Sequence, residues 1–202
     1  MKLYFSPGAC SLSPRIVLRE AGLEFTSEQV DLRSKQTAGG LDYRQVNPKG
    51  VVPALMLRDG AVLTEGPAIV QFLADLVPEK NLAPVAGSFE RYRLVEWLNY
   101  IGTEVHKSFT PLFNRGASEE SRDAAIAVLK TRFDYLARAL EGRDYLMGER
   151  FTVADAYLFT VLNWGGFTGI DMAPWPVLQA FHARVGARPA VQQALNDEGL
   201  NK

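Results

Sequence analysis

The sequence predicts an α/β domain followed by an all-helical domain, and three observations carry that prediction. Before residue 78, short apolar runs of strand length alternate with amphipathic helical stripes. After residue 86, nearly every periodic stretch repeats its apolar positions at three and four residues. Between them, Pro78-Glu79-Lys80-Asn81-Leu82-Ala83-Pro84 is polar and bounded by prolines, which reads as a linker. The expected division is therefore residues 1–78, a linker over 79–86, and a helical domain over 87–202.

Taken in order, Lys2-Leu3-Tyr4-Phe5 reads as a first strand and Ser6-Pro7-Gly8 as a turn. Cys10 then opens a helix carrying Ile16, Val17 and Ala21 and ending at Gly22. Ser11 or Ser13 is placed to cap it, and Pro14 is tolerated because it falls in the first turn. A second strand and a long polar loop come next. Val51-Val52-Pro53-Ala54-Leu55 is an apolar strand interrupted by a proline, which removes a ladder N–H and so predicts an edge or bulge. Arg58-Asp59-Gly60 is a hairpin signal between two apolar runs. Glu65 and Gly66 then stand at a helix start, with Pro67 in its first turn and Ile69, Phe72, Leu73 and Leu76 on one face.

Two features of this domain point to chemistry. Were the Val52–Pro53 bond cis, Val52 would turn its N–H and C=O outward toward another backbone, beside a helix N-terminus that suits a carboxylate. Together they describe a site for a small acidic peptide. The single cysteine is the other feature. At a helix N-terminus, the dipole and unsatisfied N–H groups draw a thiol toward the reactive pKa range of roughly 3.5–7.5. One cysteine permits no internal disulfide, and Cys10-Ser11-Leu12-Ser13 has serine where a resolving thiol would stand. Any disulfide Cys10 forms is with a second molecule.

In the helical domain, Ser88 is the expected cap of a long helix with Phe89, Tyr92, Val95, Leu98, Ile101 and Val105 inward, broken at Pro111. On an ideal helix Asn99, Thr103, His106, Thr110 and Phe113 share one face, a polar strip edged with aromatics that suggests a cleft between domains. Ser118 caps the next helix, where Ile126, Leu129, Phe133, Leu136 and Leu140 repeat before Gly142. Thr152-Val153-Ala154-Asp155 is a capping-box variant that starts a buried helix through Tyr157, Leu158 and Val161. Gly165-Gly166 after Trp164 predicts a backbone break with room for a ligand, and two shorter helices come after Pro174-Trp175-Pro176 and Arg188-Pro189.

Composition narrows the class. The 202 residues are 47% hydrophobic and 22% charged, enough for one large core or two small ones. A net charge of -1 leaves no electrostatic footprint for nucleic acid. No apolar run approaches the roughly 20 residues that cross a bilayer, and the N-terminus lacks a signal-peptide core, so a cytoplasmic location and no membrane partner are expected.

Pro7-Gly8-Ala9-Cys10-Ser11, Asn47-Pro48-Lys49-Gly50, Leu63-Thr64-Glu65-Gly66, Glu96-Trp97-Leu98-Asn99 and His106-Lys107, in this order, resemble the bacterial beta class of cytosolic glutathione transferases. The resemblance covers the whole chain. It implies a thioredoxin-like α/β N-terminal domain plus an all-α C-terminal domain, a detoxifying activity, a homodimer, and glutathione as co-substrate without a metal. It further implies that Cys10, Ser11 and His106 are catalytic, with His106 near the sulfur and the charge of His106 and Lys107 favouring a thiolate. Glutathione would pair with Val52 across Pro53, give its ammonium to Glu65 and its γ-glutamyl carboxylate to the Gly66 N–H, and meet Lys35 with its glycyl carboxylate. Gly66 lacks the serine hydroxyl that other classes use there. Asn99 and Glu104 would reach the neighbouring subunit's ligand, and Phe5, Phe109, Phe113, Trp164 and Phe167 would line the pocket for an apolar electrophile. The chain departs from the class at Phe5, where tyrosine is common; adjacent Tyr4 faces the other way on a strand.

Three functions are open on this reading. In conjugation, the glutathione thiolate attacks an electrophilic carbon. In redox chemistry, Cys10 forms a mixed disulfide that serves thiol transfer, peroxide reduction or reductive dehalogenation. The third is a non-catalytic carrier of apolar compounds.

Overall fold

A computed structural model describes residues 1–201, in two compact units. The first comprises Met1–Ala83 and the segment from Ala187 onward; the second is Pro84–Gly186. The sequence division assigned the whole of 87–202 to one helical domain, and the structure differs: the last helix belongs with the first unit.

In that unit β1 (Lys2–Phe5), α1 (Leu12–Ala21) and β2 (Thr26–Asp31) are followed by a two-residue β3 (Gln36–Thr37), which the sequence did not signal. Then come β4 (Ala54–Met56), β5 (Val62–Thr64) and α2 (Gly66–Asp75). The strands form one sheet in the order β3-β2-β1-β4-β5, with β1 parallel to β2 and every other pair antiparallel. Strand alternation sends Tyr4 into a cluster with Val30, Tyr43, Val52 and Ala54. Phe5 points the other way, under the Arg15 guanidinium of α1. Leu3, Ile16, Val17, Leu18, Ile69 and Leu73 are fully buried, each contributing about 1.5–3 kcal/mol over exposure.

The hairpin forms as expected: Gly60 adopts φ 87°, a left-handed conformation that suits glycine, and Leu57 N–H donates to the Ala61 carbonyl at 2.8 Å. The proline strand is not an edge. Strand β4 lies between β1 and β5, and Pro53 is tolerated because it precedes the first ladder residue, where no N–H is required.

The last helix, α9 (Pro189–Asp197), packs on α1 with Val191 and Ala194 buried. Ion pairs flank the contact: Arg188 donates to both carboxylate oxygens of Glu20 at 2.6 and 2.9 Å, and Arg19 pairs with Asp197 at 2.6 Å.

The second unit begins with α3 (Phe89–Tyr100), capped by Ser88, whose Oγ accepts from Arg91 N–H at 3.1 Å. Its buried face runs Leu94, Leu98, Ile101 and Val105. Phe89 and Tyr92, expected inward, are 67% and 64% exposed, because N-terminal to Leu98 the buried face runs through Leu94 and Arg91 rather than Val95, Tyr92 and Phe89. Helical geometry changes well before Pro111: Ile101–His106 is a π-helical segment and Lys107–Phe109 a 3₁₀ turn, before a short α4 (Thr110–Phe113). Next come α5 (Glu119–Leu140), capped by Ser118, and α6 (Val153–Leu162), buried along its entire length. Last in the unit are α7 (Trp164–Thr168) and α8 (Pro176–Gly186). At the start of α6 the Asp155 carboxylate accepts from the Thr152 N–H and hydroxyl at 2.7 and 2.9 Å and from Leu146 N–H at 2.8 Å.

Candidate functional site

The thiol sits in the turn between β1 and α1. Gly8 holds φ 70°, a left-handed conformation, and Ala9 N–H donates to the Ser6 carbonyl at 3.0 Å. Cys10 lies two residues before the helix rather than on it, half-buried, and its Sγ donates to the Val52 carbonyl at 3.3 Å. Ser11 occupies the N-cap position of α1, but its side chain makes no capping bond. Its side chain is fully buried, its Oγ accepts from Ser6 N–H at 3.1 Å and donates to the Ser6 carbonyl at 3.2 Å. Through these two bonds Ser11 fastens the turn at Ser6.

Around Val52 the backbone is fixed from two sides. The Val52–Pro53 bond is cis. The Val51 carbonyl accepts from Tyr43 Oη at 3.0 Å and Asn47 Nδ2 at 2.6 Å, and burial pushes the Tyr43 phenol up to about 12. Val52 N–H has no hydrogen-bond partner among the described residues, while its carbonyl holds the Cys10 thiol. Lys35 donates from Nζ to the Gly50 carbonyl at 2.8 Å, which holds its ammonium against this loop.

At the start of α2, Glu65 has φ 70° and ψ 114°, a conformation that costs an L residue about 1–3 kcal/mol and clusters at ligand sites. Its exposed carboxylate pairs with Lys49 Nζ, which also donates to Thr64 Oγ1 at 2.8 Å. Glu65 carbonyl accepts from Ala68 and Ile69, leaving the Gly66 N–H as the donor at the helix tip without an intrahelical partner.

The second unit holds His106, at the end of the π-helical segment. Its Nδ1 lies 2.7 Å from Tyr157 Oη, and its ring stands edge-on to Trp164 with centroids 4.7 Å apart. Burial, with a smaller effect from the Lys107 charge, pushes the imidazole down to about 4. His106 is therefore neutral at pH 7, and the expected cationic role is corrected: burial costs the charged form more than any partner here returns. The exposed Lys107 keeps its side chain in water. The π segment also displaces the ideal-helix face, since each extra residue per turn rotates the side chains of the turns after it. Asn99, Thr103 and Thr110 are exposed and His106 is partly buried. Glu104 is engaged by Arg132 at 2.7 Å.

The aromatic set divides. Phe5 is packed beneath Arg15 at 4.1 Å and Phe109 is fully buried among Phe113, Phe133 and Trp164, so neither is an open pocket wall. Trp164 is buried, whereas Phe113 and Phe167 are 51% and 64% exposed. Of the expected room at Gly165-Gly166, Gly165 is in ordinary contact with Met172, 3.5 Å from Sδ to the place of a Cβ, whereas Gly166 faces open space. Sequence reasoning missed Lys49 as the partner of Glu65, Tyr157 as the partner of His106, and the buried Arg15–Glu198 pair. Only the first had a signal, the Asn47-Pro48-Lys49-Gly50 motif; the others join residues 51 and 183 positions apart.

The profile of the glutathione S-transferase N-terminal domain matches residues 8–76, and that of the C-terminal domain matches residues 100–189. The chain is 50% identical over 200 residues to glutathione S-transferase GstA of Escherichia coli O157:H7, covering 99% of this chain and all of the relative. Among solved structures, the ternary complex of BphK, a bacterial enzyme, superposes with TM-score 0.98 at 61% identity, over 99% of this chain and 100% of that one. A sphingomonad glutathione S-transferase complexed with glutathione gives TM-score 0.96 at 48% identity, with the same coverage. The bacterial beta-class enzyme of Sphingomonas chungbukensis gives 0.97 at 46%, again over 99% and 100%. The chain belongs to the glutathione S-transferase family, as an enzyme of its bacterial beta class.

Proposed function

We propose that this enzyme binds glutathione on its first unit through Val52, Glu65 and Gly66 and joins the glutathione thiolate to the electrophilic carbon of small apolar compounds, an aromatic halide losing its halide ion in the step. The observation that carries the reading is a set of groups on one unit: the unfilled Val52 N–H, the Gly66 N–H at a helix start, and the strained, exposed Glu65, whose carboxylate is held only by the exposed Lys49 side chain. A tripeptide laid along Val52 supplies one backbone acceptor and one donor, and its donor competes with the Cys10 thiol for the Val52 carbonyl. Its γ-glutamyl carboxylate meets Gly66 N–H and the positive end of α2, and its ammonium meets Glu65 in place of Lys49. Glu65→Ala should weaken glutathione binding by about 1–3 kcal/mol, the cost of a lost charge-assisted bond. Calorimetry on the folded variant decides: unchanged affinity removes the assignment.

A redox reading is favoured by one observation, that the only thiol of the chain lies in this turn and is partly accessible. Its sulfur attacks glutathione disulfide, forming a mixed disulfide and releasing a glutathione thiolate. Conjugation needs only the glutathione sulfur, so Cys10→Ala should abolish disulfide exchange while keeping conjugation of an aromatic halide within about tenfold, or 1.4 kcal/mol of barrier. His106→Ala should lower conjugation more than exchange, since a neutral imidazole serves the reaction as a hydrogen-bonding group. Conjugation lost in Cys10→Ala with exchange spared would overturn this division. The enzyme is read as a cytoplasmic homodimer in which Asn99 and Glu104 serve the neighbouring subunit's ligand. No helix of the described residues is long and apolar enough to cross a membrane.

A further inference from the structure

We propose that Glu198 is a positioning residue for the Cys10 turn, holding it from beneath through the Gly8 amide with Arg15 as its counter-ion. The inference rests on the reading of this turn as part of the glutathione site. Glu198 Oε2 accepts from Gly8 N–H at 2.9 Å, and its Oε1 accepts from Arg15 Nε at 2.9 Å. Their side chains are 0% and 2% exposed. The Arg15 guanidinium lies 4.1 Å over the Phe5 ring at the end of β1, with Ser27 Oγ at 3.4 Å and Asp197 at 3.7 Å. One carboxylate thus ties the turn backbone to α1, and through Arg15 to the ring where the turn leaves the sheet.

A buried ion pair is a poor device for stability alone, because an apolar pair of the same volume does as well or better. What an apolar pair does not provide is an acceptor for the Gly8 amide. Ser11 pins the turn at Ser6 and Glu198 pins it at Gly8. Cys10, two residues beyond Gly8, is thereby aimed at the Val52 carbonyl. Phe5 gains a role other than pocket wall: an aromatic face under a buried cation.

The test uses two variants of the full chain and the reaction of Cys10 with iodoacetamide in the absence of glutathione. Glu198→Ala removes the Gly8 acceptor, so the alkylation rate should rise about fivefold or more, measured where circular dichroism shows the variant folded. KM for glutathione should rise about threefold or more, with kcat toward an aromatic halide within about twofold. The double variant Arg15→Met with Glu198→Gln keeps an oxygen for the Gly8 N–H and buries no charge. It should return both values to within about twofold of the parent. A folded Glu198→Ala with parental alkylation and KM overturns the proposal, as does a folded double variant whose values stay displaced. If Glu198→Ala does not fold, the double variant decides alone by the same values. A parent protein that binds no glutathione removes the glutathione reading, and the alkylation rates then judge the clasp by themselves.

Discussion

His106 carries its proton poorly, and the direction of that effect sets a pH dependence of stability. Its folded value of about 4 lies below the ordinary 6.5, so between those values the unfolded chain binds more protons than the native one. The stability contributed by keeping His106 neutral is complete above pH 6.5 and is lost as pH falls toward 4. Partly buried His182, lowered for the same reason, acts in the same sense. Asp155, pushed up to about 6 by burial, acts in the opposite sense, because its native form takes up a proton first. Comparing parent with His106→Asn isolates the first effect, since the other two are common to both proteins. Urea unfolding at pH 7.5 and 4.5 should show the parent losing about 2–3 kcal/mol relative to the variant on acidification. A constant difference between the two proteins would contradict the buried neutral imidazole.

Among the elements, α6 depends most visibly on a single side chain. Asp155 satisfies two backbone N–H groups and a hydroxyl in a setting without water access. Asp155→Ala strands those donors, and each stranded group costs about 1–3 kcal/mol. The carboxylate's own burial cost offsets part of this, so a net loss of about 3 kcal/mol is expected at neutral pH, enough to lower the melting temperature by several degrees. An unaltered melting curve would contradict the role of the cap. This element was legible in advance, as were α1, α2, α5 and the hairpin, because period, caps and turn residues are local. The π segment was not. A π turn has no compositional signature, and its effect on Asn99, Thr103 and His106 comes from one extra residue in a turn. The candidate site was half legible for the same reason. Cys10, Val52, Glu65 and Gly66 announce themselves in short motifs, whereas Tyr157, Arg15 and Glu198 act through partners distant in sequence.

For the whole molecule, the exposed apolar side chains of the second unit set an expectation of association. Val85 is 79% exposed, and Phe89 and Tyr92 lie close by in sequence at 67% and 64%. Buried apolar area returns about 25 cal/mol per Å², and closed two-fold dimers are the commonest soluble oligomers. Light scattering at micromolar concentration should give the mass of a dimer. Phe89→Glu should shift it toward the monomer while leaving the helical content of the chain in place. A monomeric parent that retains conjugation activity would rule out the shared site.

The return of α9 to the first unit also has a consequence in time. During synthesis the ribosome delivers β1, α1 and the remaining strands early, then must build the whole of Pro84–Gly186 before α9 emerges. At about 5–20 residues per second that interval is on the order of ten seconds. Throughout it the side of α1 that α9 covers stays open to water, and Arg15 has no Glu198 to meet. The order of translation therefore decides when the Cys10 turn acquires its fastening at Gly8.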